Sequence, residues 1–414
     1  MNRIYATWIG LIMAGSAVAQ ENQLTAKLDE LSARLVTQQS VTGINVLVIK
    51  DGKTAYNKAF GYADMETKRK LQTDDIFRVA SQTKAITSVA VMMLWQDGYL
   101  LLDDPISKYI PAFKNPKVLA SFNPADSSYT TVPASKEISI RDLLRHTSGL
   151  SYPTFSSDPR FNAIYAKSGT ATGIGSKGLL KDKIALLAKQ PLVHNPGEAF
   201  TYGLSTDVLG YLVEVISGMP LDEFFRKRIF EPLDMKDTYF HLPKEKANRL
   251  VSISEKTDKG WATIKHLIYE GNPADYPLKK DTYLSGGAGL STTTTDYAKF
   301  LTMLLNGGSY NGKQLLSSNT IALMTTNQLP QATIAHGEPD RRFGLGFELV
   351  TPENKFKYAE NPGTFYWGGA FNTQYWVDPA AKMIVLIFSQ EYLPADYFEL
   401  QTRYSNVIYS HLTK

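Results

Sequence analysis

The chain of 414 residues contains no cysteine. Disulfides, thiol nucleophiles and thiolate metal sites are therefore excluded, and so is a lipid-modified cysteine at an export cleavage site. Histidine is scarce: His146, His194, His241, His266, His336 and His411 make up the full set. None stands in a His-Glu-x-x-His pattern or beside another histidine, so the sequence offers no metal-binding motif. An excess of charge is missing as well. The net charge is +4, and the lysines and arginines are scattered rather than striped, which argues against nucleic acid as a partner. What remains is an ordinary globular balance, 43% hydrophobic and 20% charged, in a chain long enough for a large core and two domains.

One apolar run stands out, at the start. Arg3 precedes an apolar stretch from Ile4 to Ala14, and Ala17-Val18-Ala19 forms an A-x-A site before Gln20. This pattern predicts a secretory signal peptide over 1–19, cleaved after Ala19, and hence a periplasmic or secreted protein. The alternative is an N-terminal anchor, for which the stretch is short. No other segment reads as transmembrane, so no stable membrane anchor is expected.

Periodicity predicts a helix from Gln23 to Leu35, then strands Ile44–Lys50 and Thr54–Phe60 joined through Asp51-Gly52. A helix follows over Ser81–Gln96, stopped at Gly98. Further helices are predicted over 140–144, 179–188, 207–216, 221–229, 296–305 and 321–324. The segments 113–136 and 152–177 read as long loops, the second bearing Tyr152, Phe155, Phe161 and Tyr165 as pocket-wall or packing residues. Strands dominate afterwards, over 343–350, 364–370, 374–378 and 383–389, and a last helix spans 395–412. If the terminal strands pair, the result is one α/β domain with a helical domain inserted between its halves.

Within this layout, Ser81-Gln82-Thr83-Lys84 opens the strongly apolar helix. Serine and lysine three apart share a helix face, and a helix start offers free N–H groups and a favourable dipole to an alkoxide. Ser81 then reads as a nucleophile with Lys84 beside it. A helix cap followed by a surface lysine fits this stretch equally well. A nucleophilic serine also needs a base, and no G-x-S-x-G elbow surrounds any serine here. Tyr202, presented after the Asn195-Pro196-Gly197 turn and before a helix, is the best candidate; its alternative is a core aromatic with a bonded hydroxyl. Gly368 and Gly369, inside a β-rich stretch, mark either a packing bulge or a close approach by something else, such as a substrate backbone.

These pieces, in this order, resemble a known family. "SQTKAITSVAVMMLWQDGYLLLDDPISKYIP", "IRDLLRHTSGL", "GGAGLSTTTTDYAKFLTMLLNGG" and "WGGAFNTQYWVDP" are similar to motifs of the class C β-lactamase-related serine hydrolases, from about Thr25 to the C-terminus. Family VIII carboxylesterases are the subgroup most alike. The resemblance implies an α/β fold of the β-lactamase and penicillin-binding-protein type: an antiparallel sheet flanked by helices, with an inserted, mostly helical domain. The α/β domain would comprise 20–80 plus 285–414 and the helical one 81–284, with the active site at their seam. It also implies Ser81 as nucleophile, Lys84 as its partner and Tyr202 as general base. The backbone N–H groups of Ser81 and Ala370 would form the oxyanion hole, His146 would be structural, and no cofactor or metal would be needed. Trp367, Gly368, Gly369 and Leu204 would border the substrate. Two of these depart from the lactamase pattern: Leu204 replaces the Asn of Y-x-N, and Trp367 replaces the Lys of K-T-G. The expectation is an exported serine hydrolase acting on small-molecule esters through an acyl-serine, with weak β-lactamase activity possible. A β-lactamase or D-Ala-D-Ala peptidase is the alternative, and a catalytically silent recognition module is another.

Overall fold

The computed structural model describes residues 22–156, 158–170, 173–269, 271–280, 283–330, 340–394, 397 and 399–412. The signal peptide expected over 1–19 lies outside them. A helix over 22–37 (α1) leads into β1 (Gly43–Lys50) and β2 (Lys53–Gly61). Asp51 and Gly52, at φ 50° and 75°, supply the two left-handed residues that a tight hairpin with the natural strand twist demands.

Four more strands arrive late in the chain: β3 (Glu348–Leu349), β4 (Phe365–Gly369), β5 (Thr373–Asp378) and β6 (Met383–Phe388). They join the first two in one antiparallel sheet of order β3-β4-β5-β6-β1-β2. The first strand pairs with the last, Val46 opposite Ile387 and Val48 opposite Val385. Period-2 alternation then sorts the side chains into two cores. Val46, Val48, Val385, Ile387 and Trp376 pack with Leu24, Leu28, Leu31 and Leu35 of α1 and with Leu400, Tyr404 and Ile408 of the last helix, Glu399–Leu412. The hydroxyls of Ser32 and Tyr404, 2.8 Å apart, tie the two terminal helices together. From the opposite face Leu47, Ile384, Leu386, Phe388 and Tyr375 enter the larger core, where Tyr297 of the helix Thr294–Leu305 meets Tyr375 and Phe388 and to which α2 (Thr83–Gln96) also belongs. Both faces of β1 and β6 are covered, which is why these strands read as near-continuous apolar runs.

In α2, twelve of the fourteen residues are buried, polar Thr83, Lys84, Thr87 and Ser88 among them. A helix apolar on every side belongs inside a protein. It packs against α3 (Ser205–Ser217), whose apolar face carries Val208, Leu209, Leu212 and Val213.

Several expectations are corrected. The helix does not begin at Ser81: residues Ala80–Gln82 form a 3₁₀ turn and the α-helix starts at Thr83. The segment 113–136 contains a hairpin, Lys117–Phe122 with Tyr129–Pro133, and the segment 152–177 contains a helix, Pro159–Ser168. The helix expected over 221–229 turns wider after Phe225, becoming a π-turn over Arg226–Phe230. The strand expected over 343–350 shrinks to Glu348–Leu349. Of the last helix, the predicted start at Ala395 lies outside the described residues.

Candidate active site

The turn that carries Ser81 is held in a strained shape. Ala80 sits at φ 39°, a left-handed value that costs an L-residue about 1–2 kcal/mol. Ser81 makes no capping hydrogen bond, either to its own turn or to α2. Its side chain points at Lys84 and Tyr202 instead, so the helix-cap reading of Ser81 fails on geometry.

Lys84 Nζ donates to Ser81 Oγ at 3.3 Å, to the Tyr152 hydroxyl at 3.0 Å and to the Gly287 carbonyl at 2.8 Å. Three acceptors around one nitrogen match the three hydrogens of an ammonium, which has no lone pair left to take a proton. The Tyr202 hydroxyl lies 2.7 Å from Ser81 Oγ, and the Lys84 nitrogen sits 4.8 Å from the Tyr202 ring centre. Two phenols thus flank the lysine, and their surroundings separate them. Burial pushes the Tyr152 hydroxyl well above the ordinary tyrosine range, and the neighbouring Tyr202 and Asp207 push it further. Tyr152 is therefore a neutral partner of Lys84, and of the two phenols only Tyr202 touches Ser81.

Behind Lys84 lies Asp207, fully buried in the first turn of α3. Burial raises its carboxyl above the usual range; hydrogen bonds from Ser285 Oγ, 2.5 Å, and Tyr283, 3.2 Å, and the charge of Lys84 act against that. Gly287 separates the acid from the amine: a Cβ there would stand 2.4 Å from Asp207 Oδ2 and 3.5 Å from Lys84 Nζ. Only glycine fits between them.

Tyr202 is fixed from the other side by His146. The rings lie 4.9 Å apart, and the His146 carbonyl accepts the Thr201 N–H at 2.8 Å. Burial, then the charges of Lys84 and Arg341, push the imidazole well below its ordinary value, so it is a neutral wall. Trp367 completes the enclosure, 5.5 Å from the Tyr202 ring and 5.3 Å from Phe343.

The strand bearing Trp367 runs directly against the Ser81 turn. A Cβ on Gly369 would stand 2.2 Å from the Val79 carbonyl oxygen, and one on Gly368 would stand 2.0 Å from the Tyr397 hydroxyl. On the side where a side chain would project, both glycines thus make room for the protein's own atoms rather than for a substrate backbone. Ala370 follows at the end of β4, and among the described residues neither its N–H nor that of Ser81 is taken by a backbone hydrogen bond. Leu204 is corrected outright: it is 2% exposed and packed in the core with α3, because the turn before that helix points it inward. It cannot border the substrate. Gly203 has no room for a side chain either, since its Cβ would meet the Leu150 carbonyl at 2.1 Å. Tyr152, not residue 204, supplies the polar atom beside Lys84. The sequence signal for this was weak, one aromatic among several in a polar segment.

An aromatic arch closes one end of the cleft. Tyr152 meets Phe155 at 5.6 Å, Phe155 meets Tyr269 at 4.9 Å, and the Tyr269 hydroxyl reaches the Ala370 carbonyl at 3.4 Å.

A buried lysine between a half-buried serine and tyrosine, on a sheet edge beside two backbone N–H groups that no backbone carbonyl takes, defines a serine acyl-transfer site. The chain belongs to the Beta-lactamase family, whose model matches residues 26–408. Its fold is that of the β-lactamases and penicillin-binding proteins, and it is a serine hydrolase of that family with esterase and carboxypeptidase-like relatives. The chain is 29% identical to a putative D-alanyl-D-alanine carboxypeptidase of Escherichia coli K12, covering 86% of this chain and 81% of the relative. To the esterase EstB of Burkholderia gladioli it is 28% identical, covering 88% and 90%. Among solved structures, EstCE1, a hydrolase with promiscuous acyltransferase activity, superposes with a TM-score of 0.81 at 25% identity, covering 94% and 99%.

Proposed function

We infer that the protein is an exported carboxylesterase of the family VIII type, cleaving neutral esters through an acyl-Ser81 intermediate. Trp367 carries this reading. It stands in the sheet-edge position where a lactamase presents a lysine, and it is packed between Tyr202, tilted at 51°, and Phe343, edge-on at 84°. An indole offers an apolar face to an uncharged acyl or alcohol group and nothing to a carboxylate. The cation on the Phe343 side, Arg341, is engaged by Glu348 at 3.2 Å and lies over the Phe200 ring.

In this reading Tyr202 acts as a phenolate beside the Lys84 ammonium, and Ser81 Oγ attacks the ester carbonyl carbon as its proton passes to the Tyr202 oxygen. Lys84, as an ammonium, stabilises the negative charge on both oxygens. The Ser81 and Ala370 N–H groups receive the oxyanion. Tyr202 returns the proton to the leaving alkoxide, and the C–O bond breaks. It then takes a proton from water, whose oxygen attacks the acyl carbon; the acid leaves and Ser81 regains its proton. Slow β-lactam cleavage accompanies the reaction, because nucleophile and oxyanion hole serve both.

The test compares kcat/KM for p-nitrophenyl acetate and butyrate with that for a chromogenic cephalosporin on one preparation. A lost hydrogen bond to a charged group is worth about 1.5–3 kcal/mol, so the esters should lead by roughly ten- to a hundredfold. A cephalosporin value equal to the ester values or above them overturns the reading in favour of a lactamase or peptidase. Failure of a fluorophosphonate to label Ser81 would point to a silent recognition module. Export predicts a mature N-terminus at Gln20, read by N-terminal sequencing.

A further inference from the structure

The turn Ala370–Asn372 is braced from behind by a buried acid that the chemistry above does not use. Glu391, 1% exposed, follows β6. Its Oε2 accepts the Asn372 side-chain N–H at 2.7 Å. Its Oε1 accepts the Thr42 backbone N–H at 3.1 Å and lies 2.9 Å from Ser389 Oγ. The Glu391 N–H reaches the Phe371 carbonyl at 3.1 Å. One side chain therefore joins the start of β1, the end of β6 and the turn that carries the Ala370 N–H.

The hydrogens around it decide its charge state. Ser389 Oγ has two acceptors in reach, Glu391 Oε1 at 2.9 Å and the Gly43 carbonyl at 2.8 Å, and only one hydrogen to give. If Glu391 carries a proton, its O–H donates to Ser389 Oγ and the serine hydrogen goes to Gly43, so every member is satisfied. If Glu391 is ionised, its oxygens keep the Asn372 and Thr42 N–H groups, but Oε1 and the Gly43 carbonyl compete for the one Ser389 hydrogen, and a negative charge sits behind the oxyanion turn. Burial favours the same neutral form and pushes the carboxyl up to about 7, against the hydrogen bonds of Asn372, Ser389 and Thr42 and the charge of Lys256. The neighbouring elements bring few other charges. Arg78 is turned onto the Val251 carbonyl and Gln390, Glu255 is paired with His266, and Tyr269 and Tyr392 meet edge to face.

We propose that Glu391 is a positioning residue for the oxyanion hole, acting as a neutral acid that pins the Ala370–Asn372 turn to β1 and β6. Its ionisation loosens that pin and opposes the charge that develops at Ala370. This rests on the acyl-serine reading of the site.

The experiment follows kcat and KM for an aryl butyrate from pH 5.5 to 9 in the wild type, Glu391→Gln and Glu391→Ala, with thermal melts to confirm folding. The pseudo-first-order rate of Ser81 labelling by a fluorophosphonate is measured in parallel. Glutamine is the permanently neutral mimic. Its N–H can donate to the Asn372 Oδ1, which has no partner now, while its Oε1 accepts from Thr42 and Ser389; the substitution removes the titration and the charge but not the competition for the Ser389 hydrogen. The wild type should show an inflection near pH 7 above which both rates are depressed severalfold, and Glu391→Gln should lack it. Glu391→Ala should lower kcat roughly ten- to a hundredfold with KM changed less than about threefold, because a misplaced donor costs the transition state and not the bound ester. An identical inflection in Glu391→Gln, or wild-type kcat in Glu391→Ala, overturns the proposal. If the wild type hydrolyses no ester, the esterase reading fails, while the labelling rates still decide the role of Glu391.

Discussion

Gly369→Ala tests how the oxyanion strand is seated. The added methyl would stand 2.2 Å from the Val79 carbonyl and 2.5 Å from Thr373 Oγ1. Ordinary contact between such atoms needs more than 3 Å, so strand and turn must part by roughly 1 Å. Val79 lies two residues before Ser81, and Ala370 follows Gly369 directly. The displacement therefore falls between the nucleophile and the second oxyanion donor. A 1 Å misplacement of reacting groups costs about 10²-fold, comparable to the loss of one oxyanion donor. Overpacking of this kind destabilises by about 1–3 kcal/mol, which a large domain survives. The readout is kcat for an aryl ester together with the fluorophosphonate labelling rate, on protein with a native circular-dichroism spectrum and a cooperative melt. Both rates should fall by about a hundredfold. Gly368→Ala is the internal comparison. Its obstacle is the Tyr397 hydroxyl, the far end of a side chain that can swing aside, so its loss should be smaller. A folded Gly369→Ala with kcat within threefold of wild type would refute the claim that this close approach seats the hole.

Ser81→Ala should abolish labelling and lower kcat by roughly 10⁴- to 10⁶-fold, with the melting temperature little changed because Ser81 caps no helix; retained turnover would remove it from the chemistry. Tyr202→Phe and Lys84→Ala should each cripple acylation, and the double variant should be no worse than the poorer single one, since the two side chains serve one oxygen; additive losses would separate them. Tyr152→Phe removes one acceptor from Lys84 and should cost far less than Tyr202→Phe, because only Tyr202 reaches Ser81. His146 is held neutral in the fold, so the unfolded chain takes up a proton that the native chain refuses as pH falls below about 6.5. Stability should decline on that side, and the slope of melting temperature against pH should flatten in His146→Gln; an unchanged slope would show that His146 takes no part.

What could be read from residues alone follows the range of the forces that set each feature. The Asp51-Gly52 hairpin was readable because its two left-handed residues are a local requirement. The apolar runs of β1 and β6 were readable because burial on both faces leaves no choice of residue. The exposed hairpin over 117–133 was not, since strands wet on most of their surface carry no alternation. The helix Pro159–Ser168 was hidden by its polar composition. Asp158 before Pro159 and Gly169 after Ser168 were nevertheless start and stop signals in plain view. Within the site, the spacing of Ser81 and Lys84 was a local fact, and the 3₁₀ turn that separates Ser81 from the helix proper was not. Turn and helix share the same apolar periodicity, and the difference comes from the strained Ala80 and from β4 pressing on Val79. Leu204 shows the opposite failure: a motif position suggested the cleft, and the direction of the chain entering α3 sent the side chain to the core. Asp207, Gly287 and Glu391 could not be picked out, because each matters through partners far away in sequence.

The pairing of the first strand with the last sets the order in which the enzyme can come into being. Ser81 and Lys84 are made early, yet β4 has no seat until β5 and β6 exist, and β6 closes on β1 only when nearly all of the chain is available. A growing or truncated chain therefore carries the nucleophile without the strand that would make it reactive. Contacts this distant in sequence also make folding slow compared with a helical bundle of similar size. Activity is thus an all-or-none report on completion, and shortening the chain before Phe388 should leave no partial enzyme at all.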